Sequence, residues 1–258
     1  MRGSAFANRA SGNIFFGWSK AVGQPDGCLG FSAFVKTALE CVDGEEDANG
    51  RPHNPPPSRG GGGILGASLF AATLVSLTAA QYGFMVGIGW RPLSDPGGAW
   101  PSGLSLGPHG WMMNASFVAS GASLMAFAVG LRRAVWGGAK TGSALLSISG
   151  LAMAMMAFET DPILREAPRS FHGWIHDVSF AVFAMSFLAS TFFLWREFDK
   201  DPTWKPHARH TLATGLIAVV CLVLPGVAYY LFVAILLAWI FATAMKLWRI
   251  TDVSRRVP

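Results

Sequence analysis

Between Thr211 and Met245 the chain runs for 35 residues without an Asp, Glu, Lys or Arg. A segment with no charged face cannot be half-solvated like an ordinary surface helix. It must be covered on all sides, by protein or by lipid. As one helix rising 1.5 Å per residue it would be about 52 Å long, against roughly 30 Å of bilayer hydrocarbon. Pro225-Gly226 stands near its middle. Proline removes a backbone donor there and glycine admits a turn, so the spacing predicts two helices in a tight hairpin.

Four more uncharged or nearly uncharged windows precede it, each bounded by charge. Ile64–Trp90 lies between Arg59 and Arg91, Trp111–Leu131 stops at Arg132, Thr141–Phe158 runs from Lys140 to Glu159, and Phe171–Trp195 stops at Arg196. The expected fold is therefore all-α: an integral membrane bundle of about six transmembrane helices over residues 64–250. The spans are about 64–90, 111–131, 141–158, 171–195, 208–225 and 227–247. Only 14% of the 258 residues are charged and 52% are hydrophobic, where soluble domains carry roughly 25% charged residues. The net charge of +5 does not indicate nucleic acid, because the cations sit at the ends of apolar runs rather than along one basic face. The bilayer is the expected partner, and a cell membrane the expected location.

Residues 1–63 differ from the rest. They contain Glu45-Glu46-Asp47, Pro55-Pro56-Pro57 and Gly60 to Gly63, and their apolar patches near Ile14–Trp18 and Leu29–Val35 are too short to span. This stretch reads as a disordered leader ending in a Pro/Gly linker, and residues 251–258 as a short tail. The three cysteines, Cys28, Cys41 and Cys221, form no disulfide framework.

Lys and Arg in the connections set the expected orientation. One side collects eleven cations, in the groups Arg132 to Lys140, Arg196 to Arg209 and Lys246 to Arg256. The other has three, Arg91, Arg165 and Arg169. Both termini are expected in the cytoplasm. Trp90, Trp100, Trp111 and Trp174 then mark the outer boundary, and Trp136, Trp195, Trp204 and Trp248 the inner one. Small residues such as Gly121, Gly142 and Gly150 are expected to let helices approach closely.

Both outer loops carry the same punctuation. Ser94-Asp95-Pro96 is followed by His109-Gly110-Trp111, and Thr160-Asp161-Pro162 by His172-Gly173-Trp174. Each group precedes a descending helix, so the first four helices read as two copies of one hairpin. Asp-Pro and His-Gly-Trp have an ordinary structural reading, as helix-start signals and an interfacial anchor. The second copy carries more chemistry. His172 and His176, four residues apart, fall one helical turn apart. With His109 they are candidate metal ligands, zinc being the candidate cofactor, and Asp161 and Asp177 are the candidate catalytic carboxylates. A Ser170–His172–Asp177 triad lacks any nucleophile turn. A single haem between His109 and His172 or His176 is the remaining cofactor reading.

The run from Gly89-Trp90 through Leu104–Gly110 and Trp111 to Gly130-Leu131-Arg132-Arg133 resembles the bacterial domain of unknown function 998. So does Phe158-Glu159-Thr160-Asp161-Pro162 followed by His172-Gly173 and His176-Asp177. The likeness covers about residues 64–250. It implies a multi-pass membrane protein, aligns Asp161, His172 and His176 with the family's characteristic loop, and brings no activity with it. A looser likeness to alkaline-ceramidase-like hydrolases is one of analogy, since those have seven helices. The expected function is that of a membrane protein whose outer His/Asp cluster is structural or binds a small ligand. The alternatives are a metal-dependent hydrolase of a lipid-like substrate at the outer leaflet, and a single-haem redox protein.

Overall fold

A computed structural model describes residues 59–91, 101–162, 168–224 and 227–256. Its helices are α1 (Arg59–Ala80), α2 (Tyr82–Gly87), α3 (Gly110–Ala134), α4 (Lys140–Met155), α5 (Phe171–Lys200), α6 (Lys205–Val223) and α7 (Val227–Arg256), with a 3-10 turn at Pro101–Leu106. No strand occurs among the described residues. Five helices, α1, α3, α5, α6 and α7, are long and apolar enough to cross a membrane. At 16 residues, α4 reaches only about 24 Å at 1.5 Å per residue.

The six long helices form a closed ring in chain order. α1 packs on α3, α3 on α4, α4 on α5, α5 on α6, α6 on α7, and α7 returns to α1. Neighbours run antiparallel, as paired contacts along the seams show. In the α5–α6 seam, for example, Thr191 faces Gly215 while Phe198 stacks on Trp204 at the connection. Short connections force this arrangement. The α3–α4 reversal takes five residues, with Gly137 and Gly138 both at φ 81°, a backbone state that costs glycine little. Arg132 and Arg133 in the last turn of α3 complement the partial negative charge of a helix C-terminus. The end of the ring with these basic connections is here the basic end, and the opposite one the motif end.

Lipid supplies no hydrophobic drive between helices, so seams depend on close packing and internal hydrogen bonds. At the α3–α4 seam a Cβ on Gly150 would stand 2.7 Å from the Gly121 carbonyl oxygen, and a Cβ on Gly121 would strike that of Gly150. The two backbones touch because neither residue has a side chain, as expected from the sequence. Ser149 and Ser186 share a 2.8 Å hydrogen bond across α4–α5, and Trp239 Nε1 donates to Thr211 Oγ1 at 3.1 Å across α6–α7. Leu65, Val75, Met185, Ile217 and Leu231 face outward, as a lipid-facing surface requires.

Several boundaries differ from the sequence reading. The first helix begins at Arg59, inside the stretch read as linker, because Gly63 packs where a Cβ would lie 2.8 Å from Ala244 and 2.9 Å from Phe127. Tertiary contact thus overrides the low helix propensity of glycine. The 64–90 span is broken at Gln81, which separates α1 from α2. α4 ends three residues early, α5 continues to Lys200, and α7 extends through most of the expected tail. Trp90 and Trp204 are buried against protein: Trp90 Nε1 donates to the Tyr230 hydroxyl at 2.5 Å. Trp204 stacks on Phe198 with ring centroids 4.7 Å apart. Residues 1–58, Asp95, Trp100 and the Pro225-Gly226 break lie outside the described residues.

Candidate functional site

At the motif end the start of α5 is built by its own sequence. Ser170 is the N-cap, and its Oγ accepts from the Gly173 amide at 2.9 Å. Such a cap contributes about 1 kcal/mol. The Ser170 amide in turn donates to Asp161, at 3.0 and 3.3 Å from the two carboxylate oxygens. Asp161 therefore lies over the first turn, where a negative charge is favoured by the helix dipole. A Cβ on Gly173 would collide with that carboxylate, which explains the glycine of the second His-Gly-Trp. The first copy works the same way with a different partner. A side chain on Gly110 would collide with the Ser105 carbonyl, so that glycine admits the loop onto α3. Both tryptophans point outward, Trp111 at 66% and Trp174 at 58% exposure, in keeping with interfacial anchors.

The histidines part company. His172 is exposed, its ring set beside Phe158 and Phe171 with centroids 5.9 and 6.3 Å away. His109 is exposed at the head of α3, where its backbone amide donates to Gln81 Oε1 at 3.3 Å. His176 is 4% exposed, with Phe117 edge-on to its ring. Its Nδ1 lies 2.9 Å from both the Met156 and the Phe158 carbonyl oxygens. Two carbonyls can only accept, so Nδ1 carries the proton, and in the neutral ring Nε2 keeps its lone pair. Arg169 and Asp177 form an ion pair beside it.

A cavity of about 420 Å³ lies inside the ring. Thr160, Asp161, Arg169, His176 and Asp177 line it near the motif end, and Phe70, Phe117, Phe180, Phe183 and Phe232 line its apolar interior. Most small-molecule sites have this character: concave, largely apolar, with a few convergent polar groups. Of the five candidate residues, Asp161, His176 and Asp177 meet at the cavity, while His109 and His172 are not part of its lining. No group of three His, Cys, Asp or Glu side chains placed to hold a metal ion occurs among the described residues.

Two polar residues had no role in the sequence reading. Gln81, 3% exposed at the α1–α2 break, also reaches from Nε2 to the Leu104 carbonyl at 3.5 Å, tying the 3-10 turn to the bundle. Asp201, 5% exposed at the basic end, accepts from the amides of Trp136 and Thr203, both at 2.8 Å. It thereby joins the α3–α4 and α5–α6 connections. A signal for Asp201 was present, since Asp201-Pro202 repeats the Asp-Pro pairs of the motif loops. An isolated Gln between two apolar runs carries no such mark.

A family model described as protein of unknown function (DUF998) matches residues 70–247. That range takes in the whole ring except the first half of α1 and the last turns of α7, and every described residue of the cavity lining. No curated protein and no solved structure matches the chain.

Proposed function

Because the chain belongs to the family of proteins of unknown function DUF998, and that membership brings no activity with it, we propose a function from the cavity alone. This multi-pass membrane protein binds a small amphiphilic ligand inside its helix ring, with the apolar part among the phenylalanines and the polar part at the Asp161, His176 and Asp177 mouth. The observation that carries the reading is the cavity itself. A volume of about 420 Å³ is within the roughly 300–1,000 Å³ range of ligand pockets and is far larger than packing defects in close-packed interiors. The excess of Lys and Arg at the basic end supports an orientation with that end and both termini in the cytoplasm of a cell membrane. The mouth then opens toward the outer leaflet. A thiol reagent that cannot cross membranes should label a Trp174→Cys variant in intact cells and leave Trp136→Cys unlabelled; the reverse pattern rejects this orientation.

Binding of an alkyl amphiphile should raise the thermal midpoint of the purified protein with ligand concentration, as any ligand selective for the folded state does. Val233 lines the cavity, and Val233→Trp should remove that shift by filling the space. A wild-type midpoint unmoved by alkyl amphiphiles, or an undiminished shift in Val233→Trp, counts against the chamber. The same preparation separates the other chemistries. Stoichiometric zinc lost on His176→Ala moves the reading to a metal-assisted hydrolase with Asp161 or Asp177 as base. A Soret band moves it to a haem protein.

A further inference from the structure

We propose, resting on the chamber reading above, that the mouth selects an amphiphile with an uncharged, hydrogen-bond-donating headgroup, an alcohol or polyol, over one ending in phosphate or carboxylate. The buried His176 ring carries this. Its Nδ1–H is taken by the carbonyls of Met156 and Phe158. The ring lines the cavity and is 4% exposed, and Nε2 has no hydrogen-bond partner among the described residues. A lone pair can be satisfied only by a donor, and a donor brought into the cavity by a ligand is available to it. A ligand hydroxyl supplies one; a carboxylate or a fully ionised phosphate offers only another acceptor.

The charges around the ring point the same way. Two carboxylates, Asp161 and Asp177, share the mouth with one guanidinium among the described residues, Arg169, and that cation is already paired with Asp177. An anionic headgroup would have to displace Asp177 from Arg169 while facing both carboxylates, and like charges at short range in a partly dry site repel strongly. A hydroxylated headgroup donates to His176 and to the carboxylates without breaking the ion pair.

The test compares two probes with the same twelve-carbon chain, monolauroylglycerol and dodecyl phosphate, titrated onto the full-length protein in nanodiscs and read by native mass spectrometry. The glycerol ester is expected to bind at least about tenfold more tightly, as one well-made buried hydrogen bond and an avoided repulsion allow. His176→Phe keeps an aromatic side chain, removes the Nε2 acceptor together with the Nδ1 donor to Met156 and Phe158, and should bring the ratio below about threefold. Equal or tighter binding of dodecyl phosphate to the wild type overturns the selectivity while leaving the chamber intact. An unchanged ratio in a folded His176→Phe overturns the role of His176. Binding of neither probe removes the chamber and the selectivity together. The wild-type comparison stands even if His176→Phe does not fold.

Discussion

Asp161 and Asp201 show how a single carboxylate organises each end of the ring. Asp161 holds the Ser170 amide above the start of α5, and Asp201 holds amides from two different connections. Removing either leaves backbone donors without their acceptor. Asp201 is the more buried, so its loss exposes less of those groups to water as compensation. Asp201→Ala is expected to cost about 2–3 kcal/mol and Asp161→Ala about 1–2 kcal/mol, with Asn restoring part of each. Unfolding of the purified variants by denaturing detergent measures both. An Asp161→Ala protein as stable as the wild type would mean that the carboxylate is spared for ligand rather than needed by the helix.

Among the elements, the α3–α4 seam is the least forgiving. Gly121 and Gly150 bring two backbones into contact, and no rotamer of a larger residue avoids the facing helix. Gly121→Leu should therefore destabilise by about 3 kcal/mol or more, at or beyond the upper end of ordinary overpacking. Leu151→Ala, on the exposed side of α4, should change stability by less than about 1 kcal/mol. Comparing their unfolding midpoints checks the seam; equal midpoints would place the helices farther apart than described. These elements were largely legible in the sequence, because uncharged windows bounded by Arg, Lys and Glu report length and burial directly. The ends of helices were less legible. Lys140–Met155 and the extension to Lys200 are set by neighbours in the ring, and Gly63 is helical against Ala244 and Phe127, a contact that no local propensity reveals. At the site, four-residue spacing correctly placed His172 and His176 within about one turn. It could not tell which of the two faces the interior: α5 buries His176 and leaves His172 against Phe158 and Phe171.

On the scale of the whole molecule, ring closure gives the protein an inside. Six antiparallel helices each pack mainly on two neighbours, the last returns to the first, and α3 and α7 also touch across the ring. This leaves a chamber that a side-by-side row of hairpins would not enclose. The polar residues of the chamber lie at the end where the His-Gly-Trp motifs start α3 and α5. The alternation of charged connections between the two ends anticipated this division, whereas the order of helices around the ring had no counterpart in hydropathy. The most direct measurement of the central claim is native mass spectrometry of the protein released from its own membrane without added ligand. The wild type should carry a stoichiometric amphiphile adduct, and Val233→Trp, folded and with its interior filled, should carry none. A wild-type protein that emerges without an adduct, or an adduct that persists in Val233→Trp, would contradict the chamber.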